Sequence, residues 1–186
     1  MTKEEIGLLF PIEVVPPDEK WFEIFEKEKS LIMDTLGKQI ALRIEHFGST
    51  AVPNLAAKPT IDILIEIHST EEFKVIMIEK MKTIKYDFIW RTDTPPPYMM
   101  FAKGYHSDGT KEQTYHIHVA PKDHPLWDRL FFRDYLKQNP DTAKDYEQLK
   151  FELAIKHKYD REEYTNAKTE FVTRITELAK KTNKKN

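Results

Sequence analysis

Cysteine is absent from all 186 residues, which removes disulfides and thiolate metal sites and leaves histidine and carboxylates as the metal-ligand chemistry. By elimination the reduced cytosol is the expected compartment, and the chain is read as cytoplasmic. An excess of positive charge is also lacking. Twenty-nine Lys and Arg stand against 31 Asp and Glu, a formal charge of −2, so sequence-independent nucleic-acid binding by phosphate neutralisation is not expected. No apolar run is long enough to cross a bilayer, and residues 1–17 fit neither a signal peptide nor a membrane span, because their one short apolar stretch follows two glutamates and ends at proline. Internal repeats and low-complexity linkers are missing too.

What is there is a chain 40% hydrophobic and 12% aromatic, enough to bury one sizeable core. The expectation is a single domain over 1–186, with a core about 18–122 and a C-terminal helical part about 126–182. Asp18 is placed to cap a helix that ends at Leu36 before Gly37. In "IALRIEHF", residues 40–47, alternation puts Ile40, Leu42 and Ile44 on one face of a strand that runs into Gly48-Ser49-Thr50. "AVPNLAAKP" reads as a turn or two of helix that must stop before Pro59. "TIDILIEI" reads as a strand with Ile61, Ile63, Ile65 and Ile67 on one side and Asp62, Leu64 and Glu66 on the other, a working or wet face. A helix over 71–82 with Phe73, Ile76, Met77 and Met81 inward comes next. Strands at "YDFIW", "YMMFAK" and "QTYHIHVA" follow, with Pro95-Pro96-Pro97 in one loop and Asp108-Gly109 turning a hairpin. "LWDRLFFRDYLKQ" is a helix broken at Asn139-Pro140, with another starting after Asp141. From a capping box at Asp160 and Glu163 a last helix carries Tyr164, Ala167, Phe171, Ile175 and Leu178 on one side, and "KKTNKKN" is a solvated tail. The fold class is α+β: a mixed, largely antiparallel sheet flanked by helices.

Several residues carry chemistry. A glycine-serine turn between a strand and a short helix offers backbone N–H groups and the hydroxyls of Ser49 and Thr50 to a phosphate. Asp62, a carboxylate set among isoleucines, calls for a metal or a basic partner, since an unpaired buried charge is costly. Glu66 lies roughly 13 Å further along at strand rise, too far to chelate with it. His116 and His118 are two apart on a strand, so both rings face one way and can serve a metal, a phosphate or proton exchange. Brought beside Asp62, they make a two-histidine, one-carboxylate set suited to a divalent metal. Lys58, fixed by Pro59 just before the acidic strand, leads the phosphate-binding cations, ahead of Arg43, Lys103 and Arg133.

The strings "IEHFGSTAVPNLAAKPTIDI", "HIHV", "LFFRDYLKQNPDTAKDYEQLK" and "YTNAKTEFV" together resemble the GrpB family, in order from about Trp21 to Val172. That family is similar to the nucleotidyltransferases of the DNA polymerase β type and is also found fused to dephospho-CoA kinases. The resemblance implies a mixed sheet flanked by helices, with Gly48, Ser49 and Asp62 at the active centre and magnesium or manganese as cofactor. It further implies transfer of a nucleotidyl group from a nucleoside triphosphate to a hydroxyl acceptor. The partner expected is a nucleotide or phosphorylated small molecule, with a link to coenzyme A chemistry by analogy. The superfamily pattern asks for an acid-x-acid pair, and here Leu64 stands where the second acid belongs. His116 and His118 are the residues that could make good that absence. Two readings therefore stand beside catalytic transfer: a noncatalytic nucleotide- or phosphometabolite-binding module, and a metal-dependent hydrolase built on Asp62, His116 and His118.

Overall fold

The computed structural model describes residues 1–92 and 96–183. Five strands form one sheet: β1 (Arg43–Phe47), β2 (Thr60–Ile67), β3 (Asp87–Arg91), β4 (Tyr98–Tyr105) and β5 (Lys111–Pro121), in the order β1-β2-β5-β4-β3. All neighbours are antiparallel except β2 and β5. That exception sets the site. The chain leaves the end of β2 and crosses through helix α3 (Thr70–Thr83) and the β3–β4 pair, and so it returns alongside β2 in the same direction with Asp62 level with His116.

One sheet face is a continuous apolar core. Ile61, Ile63, Ile65 and Ile67 meet Trp21, Phe25, Ile32 and Leu36 of α2 (Lys20–Leu36), together with Met77 and Met81 of α3. The alternation read in β2 is thus correct for its aliphatic side. The opposite side is not uniformly wet. Leu64 is fully buried there with Phe47, Tyr98, Met100, Ala120 and Leu126, a second dry layer lying next to Asp62. Over this face pack α4 (Arg129–Gln138), α5 (Pro140–Lys156), α6 (Arg161–Asn166) and α7 (Thr169–Asn183). Val52, Leu55, Phe132, Leu136, Tyr146 and Ile175 join α4, α5 and α7 to the segment that follows the glycine turn. The fold is the expected α+β arrangement of a mixed, mostly antiparallel sheet with C-terminal helices.

Local differences have local causes. The strand expected from residue 40 starts only at Arg43, because the backbone folds on itself at Gly37, whose carbonyl accepts from the N–H groups of Ile40 and Ala41 at 3.1 and 3.0 Å. Leu42, expected inward, is exposed. "AVPNLAAKP" is not helical beyond a single 3₁₀ turn at Ser49–Ala51. Ala57 instead exchanges both backbone hydrogen bonds with Val15, at 2.9 and 3.0 Å, which ties the N-terminal segment beside the site. A short capped helix, α1 (Lys3–Leu9), opens that segment and had no reading in the sequence. Ile76 faces out of α3. The helix after Asn139 begins at Pro140 itself, which serves as its first residue. The single helix expected from Asp160 is two, parted at Ala167-Lys168. Part of the expected tail is helix, since α7 runs to Asn183 and Lys180 donates to Asp128 at 2.9 Å; residues 184–186 lie outside the described residues, as does Pro95 of the proline loop. The Asp108-Gly109 hairpin forms, with Gly109 at φ +78°.

Leu64 gives the fold its sharpest test. Leu64→Ala should cost about 2–5 kcal/mol in urea unfolding. Leu64→Asp, which restores the acid-x-acid pair, should cost more because it puts a charge into a dry layer. An aspartate variant as stable as the parent would show that this layer is wet.

Candidate functional site

The site begins where β1 ends. Gly48 has φ +74°, and a Cβ built on it would overlap the Asp62 carboxylate and lie 2.9 Å from Asp62 Cβ. Glycine is required twice, by the sign of φ and by this approach. Asp62 is thereby seated against the turn, and its Oδ1 is 3.4 Å from His116 Nδ1, a long contact for a hydrogen bond. Beyond His116 the polar chain continues. His116 Nε2 lies 2.8 Å from the Tyr105 hydroxyl, and the two rings stack at 5.6 Å. Arg161 donates from Nη2 to the Tyr105 oxygen at 3.0 Å and from Nη1 to the Phe10 carbonyl at 2.7 Å.

This order favours one tautomer. A carboxylate only accepts, so a His116 proton on Nδ1 satisfies the contact with Asp62. Nε2 then accepts from Tyr105, whose oxygen accepts from Arg161. Burial by itself would raise the Asp62 carboxyl, but the His116 hydrogen bond and nearby positive charge outweigh it and hold Asp62 below its ordinary range. Burial lowers His116, against the opposing pull of Asp62. His118 is level with Leu64 on β5. Its ring stacks on Tyr98, with Nδ1 3.2 Å from the Tyr98 hydroxyl, and Phe47 meets it edge-on at 5.2 Å. Burial drives its pKa down to about 3, so it is neutral over the physiological range.

Cations approach from the other side. Lys58 Nζ lies 5.4 Å and Lys168 Nζ 4.0 Å from the ring centre of the same buried Tyr164. Burial lowers Lys58 to about 8, helped by the charge of Arg161 and opposed by Asp62. Burial likewise lowers Lys168 well below the usual lysine value, and Lys58, Lys150 and Arg129 push it the same way. Lys150, almost fully buried, donates to the Ala56 carbonyl and is lowered to about 7 by burial. A cleft of about 260 Å³ opens beside Lys58, with Phe10, Thr60, Tyr105, Gln113 and Arg161 on its walls.

The sequence-selected residues fall into distinct places. Gly48, Asp62 and His116 are brought together; His118 is one row along, within the aromatic layer; Lys58 is on the cleft. Ser49 hydrogen-bonds the buried Tyr146 phenol. Thr50 points inward, its hydroxyl donating to the Thr60 carbonyl at 3.1 Å and lying 3.0 Å from His46 Nε2. The other cations named from sequence are engaged elsewhere. Arg43 and Arg133 both hold Glu45, and Lys103 pairs with buried Glu28. Tyr105, Arg161 and Lys168 were not singled out in the sequence. Arg161 directly follows the Asp160 cap and Lys168 lies within "YTNAK", but neither position announces that α6 and α7 fold back over β2.

The donor set does not fit a divalent metal. Leu64 replaces the second carboxylate and is buried, both His116 nitrogens have partners, and His118 Nδ1 is turned to Tyr98. Among the described residues no three His, Asp or Glu side chains converge as a metal-binding group. Nor is any helix among them long and apolar enough to cross a membrane.

A mixed sheet in which a glycine turn closes on an acid of the next strand has the architecture of the nucleotidyltransferases. Cid1 poly(U) polymerase, solved with Mg and 3'-dATP bound, superposes with TM-score 0.50 at 12% identity, over 76% of this chain and 42% of that one; this likeness is one of fold. The model for the family described as GrpB protein matches residues 11–178, and the chain belongs to that family. The conserved protein GrpB from Enterococcus faecalis superposes with TM-score 0.79 at 31% identity, over 91% of this chain and 98% of that one. The glutamate-rich protein GrpB of Alkalihalophilus pseudofirmus is 36% identical over 87% of this chain and 92% of its own length. YqkA of Bacillus subtilis is 37% identical over 91% of this chain but only 48% of its own, so the chain spans about half of that relative. A dephospho-CoA kinase of Mycolicibacterium paratuberculosis is 26% identical over 73% of this chain and 38% of its own.

Asp62→Asn removes the one influence that raises His116, so the His116 pKa should drop further in an NMR pH titration. An unchanged value would mean that the two side chains are not in contact in solution.

Proposed function

We propose that the protein binds the phosphate groups of a nucleotide or of another phosphorylated small molecule, in the cleft beside Lys58 and Arg161. The observation that carries this reading is that Lys58 and Arg161 line a cleft whose carboxylates, Glu13 and Glu112, contact Lys111 and His106, while Lys168 shares the Tyr164 ring with Lys58. Such cations favour an anion, and phosphate oxygens accept charge-assisted hydrogen bonds from lysine and arginine. Thr50 has a framework role and keeps the turn anchored to β2.

A second reading is nucleotidyl transfer from a nucleoside triphosphate to a hydroxyl acceptor. It is favoured by the seat of Asp62 against Gly48 and by the fold. In it, Asp62 and neutral His116 orient the acceptor hydroxyl and take up its proton, while the cations hold the leaving phosphates. The fold's distant neighbours include a polymerase solved with magnesium, but magnesium or manganese on Asp62, His116 and His118 is the part of the expectation that this donor set serves least. The relatedness to a dephospho-CoA kinase makes coenzyme A precursors reasonable members of a ligand panel.

Two measurements test these readings. ATP or a coenzyme A precursor should raise Tm by mass action. Lys58→Ala should weaken that ligand roughly tenfold or more, as expected for a charged hydrogen bond. Affinity should also fall as pH rises through about 8, where Lys58 gives up its proton. A broad nucleotide and coenzyme A panel without any shift would remove the binding reading. For transfer, labelled triphosphate with a metabolite pool should yield product that Asp62→Asn abolishes; no product, or product indifferent to Asp62→Asn, would remove the second.

A further inference from the structure

The carboxylates and cations on the site face are paired unevenly. Glu13 and Glu112 on the cleft walls have partners of their own, Lys111 at 3.8 Å and His106 at 3.1 Å, and Asp62, whose charge acts on Lys58 and Lys168, is already in contact with His116 and wedged on Gly48. Glu45, beside Leu64 in the sheet, is held from both sides by Arg43 and Arg133 at 2.8 and 2.9 Å. Beside these stand Lys58 and Lys168, both over the ring of Tyr164, and Arg161 at Tyr105. Beyond the effect of burial, Arg161 lowers the affinity of Lys58 for a proton and Lys58 lowers that of Lys168, the behaviour of like charges held close. Adding a divalent cation would deepen this imbalance, whereas a phosphate would relieve it.

We propose that Lys58, Lys168 and Arg161 stand in for the divalent metal of related folds, so that this cleft takes the phosphate chain of a di- or triphosphate directly, without a metal ion. The inference rests on the phosphate-binding reading above and adds to it the identity of the counter-charge. Lys168 is its distinctive element: it lies four residues on from Tyr164, so one helical turn sets its ammonium over that ring at 4.0 Å.

Isothermal titration with ATP and with inorganic tripolyphosphate, each in EDTA and in excess magnesium, tests this. Binding in EDTA as tight as in magnesium supports the inference. Binding that needs magnesium or manganese overturns it and leaves the phosphate reading in place; no binding in either buffer overturns both. Lys168→Met should lose tenfold or more in tripolyphosphate affinity in EDTA while its Tm stays level or rises, since a buried charge has been removed. A variant that is folded by its Tm and binds unchanged would overturn the assignment of Lys168. Should Lys168→Met fail to fold, Lys168→Arg keeps the charge and should retain binding in EDTA, and its loss of binding while folded would count against the proposal.

Discussion

Everything at this site depends on where one carboxylate can go. Asp62 sits on a strand whose other face is solid isoleucine, so its side chain must project over the opposite face, where Leu64 and its apolar neighbours leave it a single polar opening. The Gly48 turn closes one side of that opening and the parallel neighbour β5 supplies the other. Only the parallel pairing puts His116 level with Asp62; a shift by one residue would present Tyr115 or Ile117 from the opposite face instead. From that contact the chain through Tyr105 and Arg161 follows, and Arg161 in turn fastens the N-terminal segment at Phe10.

The charge balance follows from the same constraint. A related fold with two acids in β2 would present a strongly negative surface that calls for metal cations. Here the second acid is an apolar residue committed to packing, and the polar demand of the first is met by an imidazole. The helices α5 to α7 then bring lysines rather than acids over the opening. Lys150 spends its charge within the protein, on Ala56 and beside Glu147, whereas Lys58 and Lys168 share an aromatic ring and Lys58 also lines the cleft. Fold and charge thus bear on different parts of the proposal: the scaffold is nucleotidyltransferase-like in fold, while the cations beside the cleft are what the phosphate-binding proposal rests on.

Much of this was written plainly in the chain. Strong alternation made β2 and β5 readable, and the same alternation put His116 and His118 on one face and Asp62 on the outward one. The Gly48 turn and the family strings gave the scaffold. Less legible was anything that depends on distant segments meeting. No local pattern says that Ala57 pairs with Val15 or that Leu64 meets Leu126, so "AVPNLAAKP" looked helical and the acid face looked wet. Lys168 and Arg161 belong to a charged helical stretch in which nothing distinguishes them from solvated neighbours. Their place is set by contacts with distant segments and with the buried Tyr164: Arg161 reaches Phe10 and Tyr105, and Lys168, one turn on, lies over the Tyr164 ring. His116 and His118 looked equivalent by spacing, yet the sheet gives one a carboxylate and the other an aromatic sandwich.

The most direct test of the account is the protonation of one ring. If Asp62 takes its hydrogen bond from His116 and Tyr105 supplies the other partner, the 15N NMR shifts of His116 at neutral pH must report a neutral imidazole with its proton on Nδ1 and a lone pair on Nε2. A spectrum with the proton on Nε2 would break the chain from Asp62 to Arg161, leave the carboxylate without its partner, and restore the case for a metal ion at that position.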